Sequence, residues 1–324
     1  MLVVGQSEVL ELLSMKSCIE VMESVLADLS AGQAVQSLRQ VLPLQEGNLL
    51  GLMPGYLPRE AVAGAKIISI FPHNHRAGLP SHQGAVALFD SVTGVLKALV
   101  DGQKITAIRT AAVSAAATRT LAKEDASTLA ILGTGEQAKS HLQAMLLVRP
   151  IRRVEVWGPT IAKTQQFQAE MSRKLAVEIV VAETAQQAVK DADIICTVTA
   201  SVEPVLRGAW VKPGVHINAV GACRPDDREL DSTLVKQSRL YVDRLESAHH
   251  ESGDYLIPLR EGTIEPSHIV GEIGECFSGK IKGRGTAAEI TLFKALGLAI
   301  EDLAAAQFIY NEAIRLHKGI EIAF

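Results

Sequence analysis

The chain has 324 residues, of which 48% are hydrophobic and 21% are charged. This is longer than one hydrophobic core usually organises, so we expect two domains. The chain has no Gly/Ser/Pro-rich tract and no run of like charges, which argues against long disordered segments. Because 32 Lys and Arg nearly balance 36 Asp and Glu, without a local basic cluster, the composition argues against binding to nucleic acid.

The cysteines are far apart and lack the paired short spacing of a zinc site or a disulfide framework. They are Cys18, Cys196, Cys223 and Cys276. Near the N-terminus, Glu8 and Glu11 interrupt the apolar residues, and no apolar stretch is long enough to cross a bilayer. We therefore expect a cytoplasmic protein without a membrane partner.

The first strong pattern along the chain is a helix. Ser14 can cap its start, apolar residues then recur at helical spacing as far as Leu29, and Gly32 can end it. Residues 39–101 instead contain four short runs typical of strands, separated by Gly, Pro and Asn: 48–53, 65–70, 85–89 and 95–100. Consecutive short strands favour a mixed or antiparallel sheet.

The second half of the chain has a different texture. A helix rich in small residues is predicted over 107–117, and strand and helix patterns then alternate from Thr128 to about Asp243. Such alternation predicts a parallel, doubly wound sheet. From Thr291 to His317 apolar residues recur at helical spacing, which predicts a C-terminal helix.

A glycine-rich turn follows the first strand of the alternating region. The segment is Gly133-Thr134-Gly135-Glu136-Gln137-Ala138, the G-x-G-x-x-A form of the dinucleotide fingerprint, with a strand before it and a helix after it. Gly133 permits the tight turn, and Gly135 lets the backbone approach a pyrophosphate at the helix N-terminus. The pattern predicts a dinucleotide site, while a tight turn without a ligand stays an alternative.

The next strand lacks the acidic end that usually binds the adenosine ribose. It ends Trp157-Gly158-Pro159-Thr160, so no carboxylate would repel a 2′-phosphate, which Thr160 and Lys163 could bind. This favours NADPH over NADH as the cofactor. Alternatively, Thr160 only caps the following helix.

Five segments resemble signature segments of the ornithine cyclodeaminase and mu-crystallin family: Pro80–Gln83, Asp101–Ser114, Val211–Ala222, Glu251–Asp254 and Thr291–Gly297. The resemblance implies an α/β fold with a Rossmann NAD(P)-binding domain at 116–289. It implies an α+β substrate and dimerisation domain at 1–115, completed by a C-terminal helix at 290–324, and a homodimer formed through the sheets of that domain.

Activities of that family pass through a C=N bond beside a carboxylate, in ketimine reduction, alanine dehydrogenation or ornithine cyclodeamination. The resemblance assigns Arg39, Lys66 and Arg109 to the substrate carboxylate, with Lys66 and Arg109 also catalytic, and places Met53 and His82 in the substrate site. Arg109 offers a bidentate fork, and an unpaired Lys66 in an apolar strand would be costly. Alternatively, Lys66 faces outward and Arg39 is a surface charge.

The resemblance also extends the cofactor site beyond the glycine-rich turn. The added positions are Ser81, Arg109, Thr197, Val198 and Val220.

Two positions separate the family's activities. The cyclodeaminases have an aspartate after the Gly-Gly or Gly-Ala turn, whereas this chain has Cys223, and the position of their ornithine-binding glutamate is Gly51 here. Without a general base, oxidation of an amine is weakened more than reduction of a protonated C=N bond. We therefore predict an NAD(P)H-dependent ketimine reductase of a substrate such as pyrroline-2-carboxylate or piperideine-2-carboxylate, with Cys223 as a proton donor or a small polar wall residue.

The alternatives are a cyclodeaminase or amino-acid dehydrogenase, and a protein that binds NADPH and a small ligand without turnover. His73, Asn74 and His75 have a spacing that can chelate a metal, but no carboxylate or thiol completes the set. We therefore predict no metal site.

Overall fold

The computed structural model describes residues 1–323, except for the side chains of His75 and Arg76. It divides into two compact units, one formed by residues 1–110 and 297–323 and the other by residues 111–296. Each unit has its own eight-stranded sheet.

The first unit contains two helices near the N-terminus, a run of strands and the C-terminal helix. Its elements are β1 (Leu2–Val4), α1 (Gln6–Leu12), α2 (Met15–Ser30), β2 (Val35–Gln36), β3 (Gln40–Pro43), β4 (Leu49–Leu57), β5 (Val62–Ile70), β6 (His82–Asp90), β7 (Leu96–Asp101), the start of α3 (Gly102–Leu121), and, after the second unit, α11 (Ala299–Leu316) and β16 (Ile320–Glu321).

The sheet of this unit is mixed, as the sequence predicts. Its strand order is β16-β1-β7-β6-β5-β4-β2, with β3 also paired to β4. The pair β1 and β7 is parallel and the other pairs are antiparallel. The predicted cap of α2 is confirmed, because the side chain of Ser14 accepts a hydrogen bond from the backbone amide of Ser17.

Two glycines of this sheet lie where α11 packs against it. Gly55 and Gly64 are register partners on β4 and β5. A Cβ at Gly64 would lie 2.2 Å from the carbonyl oxygen of Ala87 and 2.8 Å from Leu303 of α11, and one at Gly55 would lie 3.0 Å from Leu303. The missing side chains therefore let α11 lie close to the strands.

The second unit alternates strands with helices. Its elements are the rest of α3, β8 (Thr128–Leu132), α4 (Glu136–Val148), β9 (Arg153–Trp157), α5 (Ile161–Lys174), β10 (Glu178–Val181), α6 (Ala185–Val189), β11 (Ile194–Thr197), β12 (His216–Ala219), α7 (Ser232–Gln237), β13 (Ser238–Val242), α8 (Leu245–Glu251), α9 (Gly253–Arg260), β14 (Ile269–Glu272), α10 (Ile273–Phe277) and β15 (Ile290–Lys294).

The strand order β10-β9-β8-β11-β12-β15-β13-β14 is parallel throughout, which confirms the predicted Rossmann-type sheet. The carboxyl ends of β8, β11, β12 and β15 therefore lie at one edge, where ligands bind in open α/β sheets.

The prediction of a C-terminal helix over 290–324 is wrong at both ends, because a strand precedes the helix and β16 follows it. Residues 290–294 form β15, which lies between β12 and β13 in the parallel sheet, and the helix itself is Ala299–Leu316. Thr291, Leu292 and Phe293 are all buried. A short strand buried on both faces has no alternating pattern, so its apolar residues cannot be distinguished from a helix by periodicity.

None of the helices formed by residues 1–323 is long and apolar enough to cross a membrane.

Candidate active site

The first group of candidate residues is a buried ionic cluster in the first unit. The Nζ of Lys66 lies 2.6 Å from one carboxylate oxygen of Asp302, and the Nε of Arg109 lies 3.0 Å from the other. The Nη1 of Arg109 also lies 2.6 Å from Glu301. Asp302 therefore bridges the two predicted cations, and we call Arg39, Lys66, Arg109, Glu301 and Asp302 the ionic cluster.

Lys66 and Ile67 are neighbours on β5, so their side chains lie on opposite faces of the sheet. Lys66 is 2% exposed whereas its neighbour Ile67 is 46% exposed, so the alternative of an outward-facing Lys66 is wrong. Met53 is the register partner of Lys66 on β4 and is buried on the same face. The structure thus brings Met53, Lys66 and Arg109 together, as the sequence analysis expected.

Arg39 joins the cluster from the segment before β3. It is half-buried, and its Nη2 donates to the carbonyl oxygen of Gly297 at 3.2 Å. Its charge acts on Lys66 and contributes to lowering the pKa of that amine. With three cations and two carboxylates, the ionic cluster has a net charge of +1 when all five groups are ionised, which favours an anionic ligand.

Burial lowers the pKa of Lys66 to about 8, and Arg109 and Arg39 act in the same direction. Asp302 opposes this shift, because its charge and its hydrogen bond stabilise the ammonium form. Lys66 is therefore a cation at neutral pH whose proton is released more easily than that of an exposed lysine.

Gly297 leaves room for the Arg109 guanidinium. A Cβ at Gly297 would lie 2.6 Å from Nη1 and 2.9 Å from Nη2 of Arg109. Gly297 also has φ +80, which side chains rarely adopt. The Gly297 of the C-terminal sequence pattern is thus required both by the turn into α11 and by the arginine.

Ser81 and His82 lie at the start of β6, where the Ser81 hydroxyl and His82 Nδ1 are 2.9 Å apart. His82 pairs with Ile70, four positions along β5 from Lys66, and is exposed. Of the possible chelating pair, the side chain of His75 lies outside the described residues. Within those residues, no three His, Cys, Asp or Glu side chains are grouped to hold a metal ion.

The second group lies in the second unit, at the carboxyl end of β8. Gly133 has φ +125, and a Cβ there would lie 2.6 Å from the carbonyl oxygen of Val198. Gly135 occupies the N-cap position of α4, and no atom lies within 4 Å of where its Cβ would be. The open backbone and the helix N-terminus fit a pyrophosphate, and Thr134, Glu136 and Gln137 line this turn.

Thr160 and Lys163 are both exposed at the start of α5. Thr160 occupies the N-cap position, but its side chain makes no capping hydrogen bond. Its hydroxyl is therefore not committed to the role that the alternative interpretation assigned to it.

The remaining cofactor positions lie at the ends of β11 and β12. The Val220 amide donates to the carbonyl oxygen of Thr197 at 3.0 Å, and the Val198 amide donates to Leu132 at 2.9 Å. The Cys223 thiol donates to the carbonyl oxygen of Val220 at 3.5 Å and is partly exposed. The structure thus places Thr197, Val198, Val220 and Cys223 in two adjacent loops.

The sequence patterns did not reveal the buried carboxylates that bind the residues of both groups. They are Glu229, Asp254, Glu301 and Asp302, together with the lysine Lys294, and all five are buried. One signal was available, because Asp302 shares a helical stripe with the apolar Ala306 and Ile309. Asp254 belongs to the segment Glu251–Asp254, which resembles a signature segment of the family, but the resemblance assigned it no role.

Comparison with known proteins supports the resemblance found in the sequence. The model of the ornithine cyclodeaminase/mu-crystallin family matches residues 1–316. The mouse protein named ketimine reductase mu-crystallin is 40% identical over 294 residues, covering 90% of each chain.

Several solved structures match nearly the whole chain, and two of them have NAD or NADH bound. One is the Delta(1)-pyrroline-2-carboxylate reductase of Thermococcus litoralis in complex with NADH and L-proline, which is 39% identical with a TM-score of 0.96 and covers 99% of this chain and 100% of that one. The other is an archaeal alanine dehydrogenase dimer with bound NAD, which is 30% identical with a TM-score of 0.94 and covers 100% and 99%.

We predict that Asp302→Asn lowers the pKa of Lys66 further, because the amine loses the opposite charge that stabilises its ammonium form. The measurement is an NMR titration of lysine Cε resonances with Lys66 assigned. Asp28→Asn, which removes a carboxylate paired with Arg59 at 3.0 Å in the same unit, is the control. An unchanged Lys66 titration in Asp302→Asn would contradict the role given to Asp302.

Proposed function

This chain belongs to the ornithine cyclodeaminase/mu-crystallin family, and we propose that it reduces the C=N bond of a ketimine that carries a neighbouring carboxylate. The product is an amino acid, and pyrroline-2-carboxylate and piperideine-2-carboxylate are the representative substrates. The observation that carries the proposal is the buried pair of Lys66 and Arg109 bridged by Asp302.

The ionic cluster is suited to an imino acid because of its charge and rigidity. Arg109 and Lys66 are held in place by Glu301 and Asp302, so a substrate carboxylate would meet prepositioned donors. A neutral ligand would gain nothing from the net positive charge. Met53 and Arg39 would complete the carboxylate end of the site, and His82 and Ser81 would lie farther along β6.

A nicotinamide cofactor supplies the hydride, and the chain's own residues hold it. Gly133–Gln137 and the N-terminus of α4 would bind the pyrophosphate, and Thr197, Val198 and Val220 would bound the nicotinamide half. When the nitrogen of the C=N bond is protonated, addition of one hydride to the carbon gives the amine, so no residue has to remove a proton from the substrate.

Two positions support reduction over cyclodeamination. Cys223 stands where a cyclodeaminase has its aspartate, so the carboxylate that would accept a proton from the substrate amine is missing. Gly51 is buried, and a Cβ there would lie 3.0 Å from the Ile68 side chain. Position 51 thus has no glutamate that could bind a distal amine, and the Ile68 side chain beside it is apolar.

We propose that NADPH is preferred over NADH. The strand β9 ends in Trp157-Gly158-Pro159 without a carboxylate, and the exposed Thr160 and Lys163 at the start of α5 offer a hydroxyl and an ammonium for a 2′-phosphate.

We also propose a homodimer. The outer face of the first unit's sheet carries a band of exposed apolar side chains: Leu50, Leu52, Tyr56, Ile67 and Phe89. Leu52 and Ile67 are register partners, so the band crosses neighbouring strands. A second copy of the chain is the occupant we favour, since the similar alanine dehydrogenase structure is described as a dimer.

We further propose a cytoplasmic location, which the unpaired thiols of all four cysteines support.

The first test is imine-dependent oxidation of NADPH and NADH at 340 nm, with pyrroline-2-carboxylate and piperideine-2-carboxylate as substrates. We expect turnover by the wild type, and a loss of kcat/KM of about 100-fold or more in Arg109→Ala, because a bidentate charged contact to the substrate is removed. Ornithine serves as the competing substrate. Binding of NADPH without turnover of any imine would overturn the reductase proposal.

The second test concerns cofactor choice. We expect Lys163→Glu to lower kcat/KM for NADPH by roughly tenfold while NADH is little affected, because the new carboxylate repels only the 2′-phosphate. Lys174→Glu, at the other end of α5, is the control for a charge reversal on the same helix. Equal effects on the two cofactors would rule out a 2′-phosphate site at Lys163.

The third test concerns assembly. Ile67→Glu places a charge in the centre of the apolar band, so we expect sedimentation velocity to show monomer where the wild type sediments as dimer. Leu10→Glu, which alters an exposed leucine of α1, should leave the dimer intact. A wild type that sediments as monomer, or an Ile67→Glu variant that stays dimeric, would refute the proposed interface.

A further inference from the structure

A single buried carboxylate joins the two loops that were assigned to the nicotinamide. Glu229 is fully buried and accepts four hydrogen bonds of 2.7 Å each. Its Oε1 accepts from the amide and the hydroxyl of Thr199, and its Oε2 accepts from the hydroxyl of Thr197 and the amide of Gly221. Each carboxylate oxygen thus binds one backbone amide and one hydroxyl.

These four donors come from the chain as it leaves two neighbouring strands. Thr197 ends β11 and Thr199 follows it, while Gly221 follows β12. A Cβ at Gly221 would lie 2.1 Å from the carbonyl oxygen of Thr199 and 2.5 Å from Glu229, so the two loops approach too closely for any other residue. The position of one loop therefore determines the position of the other.

Asp254 fixes the backbone of Glu229 through hydrogen bonds. The Oδ1 of Asp254 accepts from the amides of Glu229 and Leu230 at 2.8 and 3.0 Å. The other oxygen of Asp254 lies 3.0 Å from the Nζ of Lys294, which is 1% exposed at the end of β15. A chain of buried charges thus runs from β15 through Asp254 to the segment that carries Glu229.

The surroundings of Lys294 and Glu229 act on their pKa values in different ways. Burial alone would lower the pKa of Lys294, but Asp254, Cys223 and Glu229 raise it above its usual value, so this lysine stays cationic. Burial, together with the charge of Asp254, raises the pKa of Glu229 above its usual value, although the charge of Lys294 and the hydrogen bonds from the two threonine hydroxyls act in the opposite direction. Unpaired, any one of these charges would be costly in the protein interior.

We propose that Glu229 is a positioning residue for hydride transfer, which holds the Thr197–Thr199 and Val220–Cys223 loops in the conformation that receives the nicotinamide ring. Asp254 and Lys294 fix the position of Glu229. This inference rests on the proposed function, because it assumes that the two loops bound a nicotinamide. It gives a role to three buried charged residues that the proposed function does not use.

The variant that tests the proposal is Glu229→Gln. In either orientation of the new amide, its NH2 group faces one of the backbone amides of Thr199 and Gly221, and an amide, unlike a hydroxyl, cannot rotate to become an acceptor. One loop must therefore shift, while Gly133–Gln137 at the adenine half keeps its contacts.

The readout compares ligands that share the adenine half. We expect Glu229→Gln to weaken NADH binding about tenfold, the effect of losing a charged hydrogen bond, and to leave ADP-ribose, which lacks nicotinamide, within about twofold. With an imine substrate, kcat should fall by on the order of 100-fold, and the deuterium isotope effect from 4-deuterated NADH should increase, because a misplaced ring makes hydride transfer slower.

Two further variants keep the outcome interpretable. Glu272→Gln alters another buried carboxylate of the same unit, which accepts from the Leu245 amide at 3.0 Å, and should leave the NADH to ADP-ribose ratio unchanged. If Glu229→Gln does not fold, Thr199→Val removes one donor to Glu229, and Thr199→Ser, which restores the hydroxyl, should recover the wild-type ratio.

The possible results separate the two proposals. Equal weakening of NADH and ADP-ribose, or no change in either, would overturn the positioning role. A wild type that binds NADH but reduces no imine would refute the proposed function, while the binding ratio still decides the role of Glu229. A wild type that binds neither NADH nor NADPH would refute both, and one that binds only NADPH is tested with NADPH and 2′-phospho-ADP-ribose in place of NADH and ADP-ribose.

Discussion

The contact on which the rest of the first unit depends is the bridge that Asp302 makes between Lys66 and Arg109. These three side chains come from a strand, the helix that follows the sheet and the C-terminal helix, and each is at most 4% exposed. A buried charge is tolerated only when it is paired, so the position of α11 must satisfy both cations at once. The glycines at 55 and 64 make this possible, because they let α11 approach the sheet closely enough for Asp302 to reach Lys66.

In the second unit, too, a buried carboxylate connects separate segments of the chain. Its loops at the carboxyl ends of β11 and β12 have no regular structure of their own, and a buried carboxylate, Glu229, satisfies their amides and hydroxyls. In both units, therefore, a buried acidic residue fixes the groups of the candidate site: Asp302 does so in the first unit and Glu229 in the second. Such preorganisation lowers the cost of arranging charges and dipoles when a ligand binds.

Much of the fold follows from local patterns. The cap at Ser14, the glycine-rich turn at Gly133 and the alternation after Thr128 rest on contacts between residues close in sequence, and all three were predicted. The start of the C-terminal helix was not, because Thr291–Phe293 has the same apolar texture whether it is a buried strand or a helix. Only its parallel pairing with β12 and β13 distinguishes the two.

For the candidate site, the glycine-rich turn at Gly133 indicated a dinucleotide by its own pattern. The roles expected of Lys66, Arg109 and Cys223 followed from the resemblance to the family. Their partners required the tertiary structure. Asp302 lies 236 positions along the chain from Lys66, and Glu229 is separated from both loops that it joins. No local pattern records such a pairing, because the energy of a buried ion pair depends on distance and burial, which exist only once the strands and helices have packed.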